Sequence, residues 1–184
     1  MIRKTAFLIL AATFLSFASD STLRRSYTHM YSGTFFPKKV GSFKIIGPSV
    51  FKPENVGVGY FTRSGIELTQ FIYPADGSNV DSSLNEEYEE CRNYYLKKPS
   101  LKITEEGDYN YNGVAGKYLA YENYDKFHGI NQHITSHLYL FVSEGWYVKI
   151  RVTHPVRKTE SSTLQIQEYL RSIPWPSRKY GPLF

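Results

Sequence analysis

Between Val40 and Tyr73 apolar and polar positions alternate with a period of two, which sends successive side chains to opposite faces of a β-strand. Phe43 to Ile46, Val56 to Thr62 and Ile66 to Tyr73 are rich in β-branched and aromatic residues. They are punctuated by Gly47-Pro48 and by Arg63-Ser64-Gly65, so three strands are predicted, the last two as a hairpin. Gly57 and Gly59 alternate with Val56, Val58 and Tyr60, which leaves one face of that strand bare and invites another group to pack closely there.

The period then changes. After a polar loop from Pro74 to Asp81, Leu84, Tyr88, Cys91 and Tyr95 recur at steps of four, three and four and fall on one helical face. Glu86, Glu87, Glu89 and Glu90 take the other faces. Ser83 with Glu86 fits a capping box, Lys97 and Lys98 suit the negative end of the helix dipole, and Pro99 is a stop signal. Cys91 reads as a small buried hydrophobe.

From Leu101 the period returns to two. Leu101 to Tyr111, Val114 to Tyr124, Ile130 to Val142 and Trp146 to His154 are predicted strands of an antiparallel meander. Asn112-Gly113, Asp125 to Gly129 and Ser143-Glu144-Gly145 separate them. Ile134, Leu138, Leu140 and Val142 alternate with other residues on one strand, as do Trp146, Val148, Ile150 and Val152 on the next, and these eight are the predicted core. Ser162 with Gln165 fits the cap of a closing helix whose apolar stripe is Ile166, Tyr169, Leu170 and Ile173, ended by Pro174-Trp175-Pro176. The expected fold is α+β, an antiparallel β-sheet of about 6–7 strands with one central and one C-terminal helix.

The first eighteen residues have a different grammar. Arg3 and Lys4 precede an uncharged run from Ala6 to Phe17, and Ser16 and Ala18 sit at the minus-three and minus-one positions of a cut after Ala18. This predicts a signal peptide over 1–18 and a periplasmic or secreted location after its cleavage. The run is shorter than the about 20 apolar residues that cross a bilayer, and no other stretch approaches that length. No Cys near the cut is available for lipidation. Residues 19–36 form a Ser-, Thr- and Tyr-rich leader segment without a clear period that either lies on the domain or stays mobile, residues 37–176 a single domain, and residues 177–184 a basic tail. The absence of an Asn-x-Ser/Thr sequon is in keeping with a bacterial exported protein.

Composition narrows the chemistry. With one Cys in 184 residues, an intramolecular disulfide, a Cys-based zinc site and a CxxC redox pair are excluded. Sixteen Tyr and twelve Phe supply a large apolar payload, so the core alone holds the fold. A net charge of +5, dispersed along the chain, does not describe a nucleic-acid-binding surface. His133 and His137 are spaced for a helix; on a strand they lie about 13 Å apart, too far to share one metal ion. No metal site and no cofactor is expected. Neither GxSxG, GxxxxGK[ST] nor GxGxxG occurs. Glu105, Glu106 and Asp108 fall on a strand flank where carboxylates ordinarily meet water. A C-terminal Phe184 is the one outer-membrane-barrel feature, and two helices with so few lipid-facing alternations argue against a barrel.

The last hairpin carries the candidate site. If Val142 pairs with Trp146 across a three-residue turn, Phe141 meets Tyr147, Tyr139 meets Lys149, and His137 meets Arg151 on the face opposite the core. His137, Tyr139, Tyr147, Lys149 and Arg151 then interleave aromatics and cations, a surface suited to an anionic or sugar-like ligand.

The export signal, Phe36-Pro37, Val40-Gly41-Ser42-Phe43, Val56 to Phe61, Phe71-Ile72-Tyr73, Leu138-Tyr139-Leu140 and Trp146 to Thr153 together resemble a family of uncharacterised exported bacterial proteins. The order strands, helix, antiparallel strands and terminal helix is similar to the Mog1/PsbP-like sandwich. That resemblance implies a fold whose members mostly act as binding or accessory proteins, and it carries over no catalytic residue. The expected function is an exported, non-enzymatic binding or accessory protein for an unknown protein or envelope ligand; the alternative is an exported hydrolase whose groups converge only in three dimensions.

Overall fold

The computed structural model describes residues 25–75, 80–97 and 100–181, so the expected signal peptide, residues 19–24 of the leader, Pro99 and Phe184 lie outside the described residues. A two-stranded sheet is made by β1 (Tyr27–Thr28) and β2 (Phe35–Phe36). The main sheet holds β3 (Lys39–Val40), β4 (Phe43–Lys52), β5 (Asn55–Phe61), β6 (Glu67–Pro74), β7 (Lys102–Tyr111), β8 (Val114–Phe127), β9 (Ile130–Ser143) and β10 (Trp146–Pro155). Two helices complete the fold, α1 (Val80–Leu96) and α2 (Thr159–Leu170).

The eight strands are ordered β3-β4-β5-β6-β10-β9-β8-β7 and every pairing is antiparallel. β3 to β6 run from one edge to the middle, α1 crosses to the far side, and β7 to β10 return so that β10 closes against β6. The α+β class and the two helices agree with expectation, while the strand tally rises to eight plus two. The increase is the two-residue strands β1, β2 and β3, while β4 runs on through Gly47-Pro48 instead of stopping there. β3 pairs only with Lys44 and Phe43, so at Pro48 the strand is an edge and a missing N–H costs no ladder bond.

Each helix roofs half of the sheet, and on opposite faces. On one face, Leu84, Tyr88 and Cys91 of α1 pack on Leu119, Tyr121, Leu138, Leu140, Val142 and Tyr147. On the other, Ile166, Tyr169 and Leu170 of α2 pack with Phe43, Ile45, Tyr60, Leu68, Val148, Ile150 and Val152. Tyr169 meets Phe43 and Tyr60 edge-on and donates its hydroxyl to Gln70 at 2.7 Å. Both apolar stripes therefore match their expected residues, Ile173 included, although the helices begin earlier than their expected caps. Ser83 lies inside α1 and bonds the Tyr147 hydroxyl instead of capping, and Ser162 is buried within the first turns of α2.

The last hairpin departs from expectation by one residue. Ser143 pairs with Trp146, and Glu144 and Gly145 alone form the turn, at φ of 53° and 76°. Left-handed values at both central positions give the primed turn whose twist matches the strands it joins. Tyr147 is thus opposite Val142, Lys149 opposite Leu140 and Arg151 opposite Leu138. Because strand side chains alternate, a one-residue slip exchanges faces. All eight expected core residues are buried, but on two faces: Trp146, Val148, Ile150 and Val152 under α2, and Ile134, Leu138, Leu140 and Val142 on the α1 side.

The ends of the chain are tied to this frame. His29, Ser32, Thr34 and Phe36 are buried, so the described part of the leader packs on the domain. Ser32 O accepts from the Ser177 and Arg178 amides, and Tyr180 N donates to Glu144 O. No helix among the described residues is long and apolar enough to cross a membrane.

Candidate ligand groove

α1 lies mainly over β8 and β9 and touches β6 at Tyr73, so its flank borders the same face of β6, β5 and β4. Its residues follow from the register: Lys149, Phe71 and Gly57 stand in one row, Arg151, Thr69 and Gly59 in the next. The bare face expected at Gly57 and Gly59 is real and is filled sideways. A Cβ on Gly57 would stand 2.9 Å from the Phe71 ring, and one on Gly59 would meet Ile46 at 3.5 Å. Phe71 in turn lies against Phe51, ring centroids 6.5 Å apart. The glycines let these rings lie flat, giving a half-buried aromatic platform beside the flank of α1.

Polar groups line the junction between platform and helix. Lys149 Nζ is 3.4 Å from Glu87 Oε1, 3.7 Å from Cys91 Sγ and 4.9 Å from the centre of the Tyr73 ring. Tyr73 donates its hydroxyl to the same Glu87 oxygen at 2.5 Å. The Glu87 carboxylate thus collects a cation and a phenol, a charge-assisted arrangement that fixes the Lys149 head over Phe71 and Tyr73. Burial pushes the Cys91 thiol up to about 12, with the Lys149 charge opposing and Glu87 adding to the rise. A thiol held so far above neutrality is not a nucleophile.

Arg151 stands at the C-terminal end of α1, its guanidinium 5.9 Å from the centre of the Tyr95 ring. Its Nε is sealed from solvent without a hydrogen-bond partner. Burial raises the Glu67 carboxyl, against the lowering pull of His128 and Arg151, so Glu67 is within electrostatic range of the guanidinium. Tyr147, the remaining aromatic of the expected site on this face, is 5% exposed and donates to Ser83 O at 2.9 Å beneath α1.

His137 and Tyr139 are on the opposite face, so the structure does not bring the five expected site residues together. His154 Nδ1 is 3.0 Å from Pro155 O, an atom that only accepts, so that nitrogen carries the proton. Its Nε2 then accepts from His137 Nε2–H at 3.1 Å, and His137 Nδ1 accepts from the Tyr118 hydroxyl at 2.9 Å. This chain Tyr118→His137→His154→Pro155 uses both nitrogens of both rings. Burial lowers His137 to about 4, the nearby His154 adding to the fall, and burial likewise lowers His154 against the pull of the Pro155 carbonyl. Tyr139, buried, is packed by Tyr118 at 4.9 Å and Tyr109 at 5.2 Å. Among the described residues no group of three or more His, Cys, Asp or Glu is placed to hold a metal ion.

A solved structure of the cyanobacterial PsbP protein from Synechocystis sp. PCC 6803 matches 86% of this chain and 96% of its own, with a TM-score of 0.51 at 10% sequence identity. The fold is PsbP-like. A Pseudomonas aeruginosa protein of unknown function is also similar, with a TM-score of 0.49 at 12% identity over 83% of this chain and 97% of that one. No family model and no curated protein sequence matches the chain.

Within this PsbP-like frame, sequence reading found Lys149 and Arg151 but missed Phe71, Phe51, Glu87 and Tyr73. The signal was present in the alternation of Gly57 and Gly59, which marks where rings lie against a strand. What the alternation does not give is which neighbouring side chains fill the space.

Proposed function

We propose that the protein is an exported, non-enzymatic binding or accessory module whose ligand seats on the platform of Phe51 and Phe71, against α1. The observation that carries this reading is the half-buried aromatic face, bordered by Lys149, Arg151 and the flank of α1. A concave or stepped apolar surface with a few convergent polar groups is the usual form of a small-ligand site. The hydrolase alternative needs a nucleophile and a base in contact. Cys91, the side chain with that capacity in the groove, has its thiol raised and its neighbours engaged with one another, while His137 and His154 have both ring nitrogens engaged.

Two experiments test the reading. Titration of the isotope-labelled protein with a hydrophobic probe such as 4-phenylbutyramide should move the amide signals of Gly59, Thr69, Phe71 and Lys149 and leave those of α2 in place. Shifts confined to the α2 face, or none, would remove the groove from consideration. Expressed with its full sequence in a Gram-negative host, the protein should be recovered from the periplasm or medium beginning at Ser19 by mass spectrometry, because Ser16 and Ala18 satisfy the cleavage rule. Recovery with Arg3 and Lys4 intact would contradict export by a cleaved signal.

A further inference from the structure

We infer that Arg151 is the receptor for an oxyanion carried on an apolar body; this rests on the groove being a ligand site. A guanidinium has five N–H donors and no acceptor. At Arg151 no acceptor among the described residues takes any of them. Among the described residues its Nε is sealed from solvent without a hydrogen-bond partner, its guanidinium lies over the Tyr95 ring, and Tyr121, Tyr94 and Asp125 act on its charge through space. Unmet donors on a half-buried charge are destabilising, and side chains in this position ordinarily fork onto a carboxylate. The carboxylates nearby act on this charge through space and are engaged with other groups. Lys149 has Glu87, and Glu67 is 3.7 Å from His128. Asp125 accepts from Asn123 Nδ2 at 3.3 Å and from the Lys126 amide at 2.8 Å.

The chemistry of the ligand follows from the rows of the sheet. The planar fork of an Arg matches a carboxylate or another oxyanion with two parallel hydrogen bonds, a geometry that Lys149 as a point charge does not offer. Arg151 pairs with Thr69 and Lys149 with Phe71, so the platform begins two residues along the strand, about 7 Å away. An oxygen head on the Arg151 Nη nitrogens, which are not sealed as Nε is, with an aryl or alkyl body over Phe71 and Phe51 meets those donors and covers the half-buried rings. The hydroxyl of Thr69 stands beside the head as a further donor.

The test compares 4-phenylbutyrate with its neutral amide, 4-phenylbutyramide, by calorimetry or by chemical-shift titration of the intact protein at low salt. The acid should bind roughly tenfold or more tightly than the amide, the increment expected for hydrogen bonds to a charged group. Arg151→Gln should abolish that preference and leave weak, equal binding of both probes. Thr69→Glu provides a second route that keeps Arg151, by planting a carboxylate opposite it, and should also remove the preference for the acid. Equal binding of acid and amide by the parent protein, or a preference that survives in both variants, would overturn Arg151 as the receptor while leaving the groove intact. Binding of neither probe on this face would overturn the groove and the receptor together.

Discussion

Replacing Trp146 by Ala is expected to destabilise the protein by about 3 to 5 kcal/mol, because it removes a large buried side chain and leaves a cavity. Trp146 is 1% exposed at the first position of β10, directly after the Glu144-Gly145 turn. Its ring is met edge-on by His29 at 5.7 Å and by Tyr180 at 5.0 Å. The indole N–H donates to Arg178 O at 2.9 Å. His29 is itself fixed by Ser32 Oγ at 2.8 Å and Pro53 O at 3.0 Å, so one indole joins the N-terminal strand pair, the central strand and the C-terminal segment. Trp146→Phe keeps most of the apolar contact and loses the N–H, so its cost should be nearer about 1 to 2 kcal/mol. Urea unfolding at pH 7 measures both. A loss below about 1 kcal/mol for Trp146→Ala would mean that the two chain ends do not pack on this ring.

The second large effect is set by acid. His137, lowered to about 4 by burial and by His154, takes up its proton in the folded protein far below the usual value near 6.5. Between those two values the unfolded chain binds more protons than the folded one, so stability rises with pH across that window. The contribution is fully present above about pH 6.5 and lost as pH falls through pH 4. From pH 7 to pH 4.5, His137 alone should account for about 2 to 3 kcal/mol of lost stability. Geometry gives the same sign: the proton taken up by His137 goes to Nδ1, the nitrogen that accepts from the Tyr118 hydroxyl, so N–H is set against O–H and the bond from Tyr118 is broken or must reverse. Glu67, whose carboxyl is raised by burial, has the opposite slope and is common to parent and variant. His137→Phe should therefore start less stable at pH 7 and lose markedly less on acidification. An unchanged slope in the variant would assign the acid sensitivity to other groups.

How far the chain could be read without its structure depended on the range of the interaction. Local periodicity was enough for the helical stripes of Leu84, Tyr88, Cys91 and of Ile166, Tyr169, Leu170, and for every long strand of the meander. Those patterns depend on neighbours three, four or two residues away. The last hairpin was misread because Ser143-Glu144-Gly145 admits a two- or a three-residue turn, and the choice turns on Glu144 accepting a φ of 53°. That single residue moved Lys149 and Arg151 to the face of Leu138 and Leu140 and divided the expected site. The His137–His154 contact joins residues diagonally opposed across β9 and β10, so it appears only once the register is right. The groove was further out of reach, since its existence depends on which half of the sheet α1 covers. The PsbP-like fold was foreseeable from element order; its open face was not.

The ends of the sheet bear on how copies of the molecule behave when crowded. At one end β3 covers only Phe43 and Lys44, and the rest of β4 is an edge interrupted by Pro48 and by register shifts between Ile45 and Gly47 and between Val50 and Lys52. At the other, β7 presents ten residues in a row, long enough to template a neighbour. It is guarded by chemistry: Lys102, Glu105, Glu106 and Asp108 keep charge along its exposed length, and a register shift between Ile103 and Glu105 interrupts the flat edge. Two of those carboxylates are engaged, Glu106 by Arg92 and Asp108 by Lys117. The acidic run first seen as a solvated flank thus has a protective consequence, for it keeps an otherwise sticky border from growing into a shared sheet.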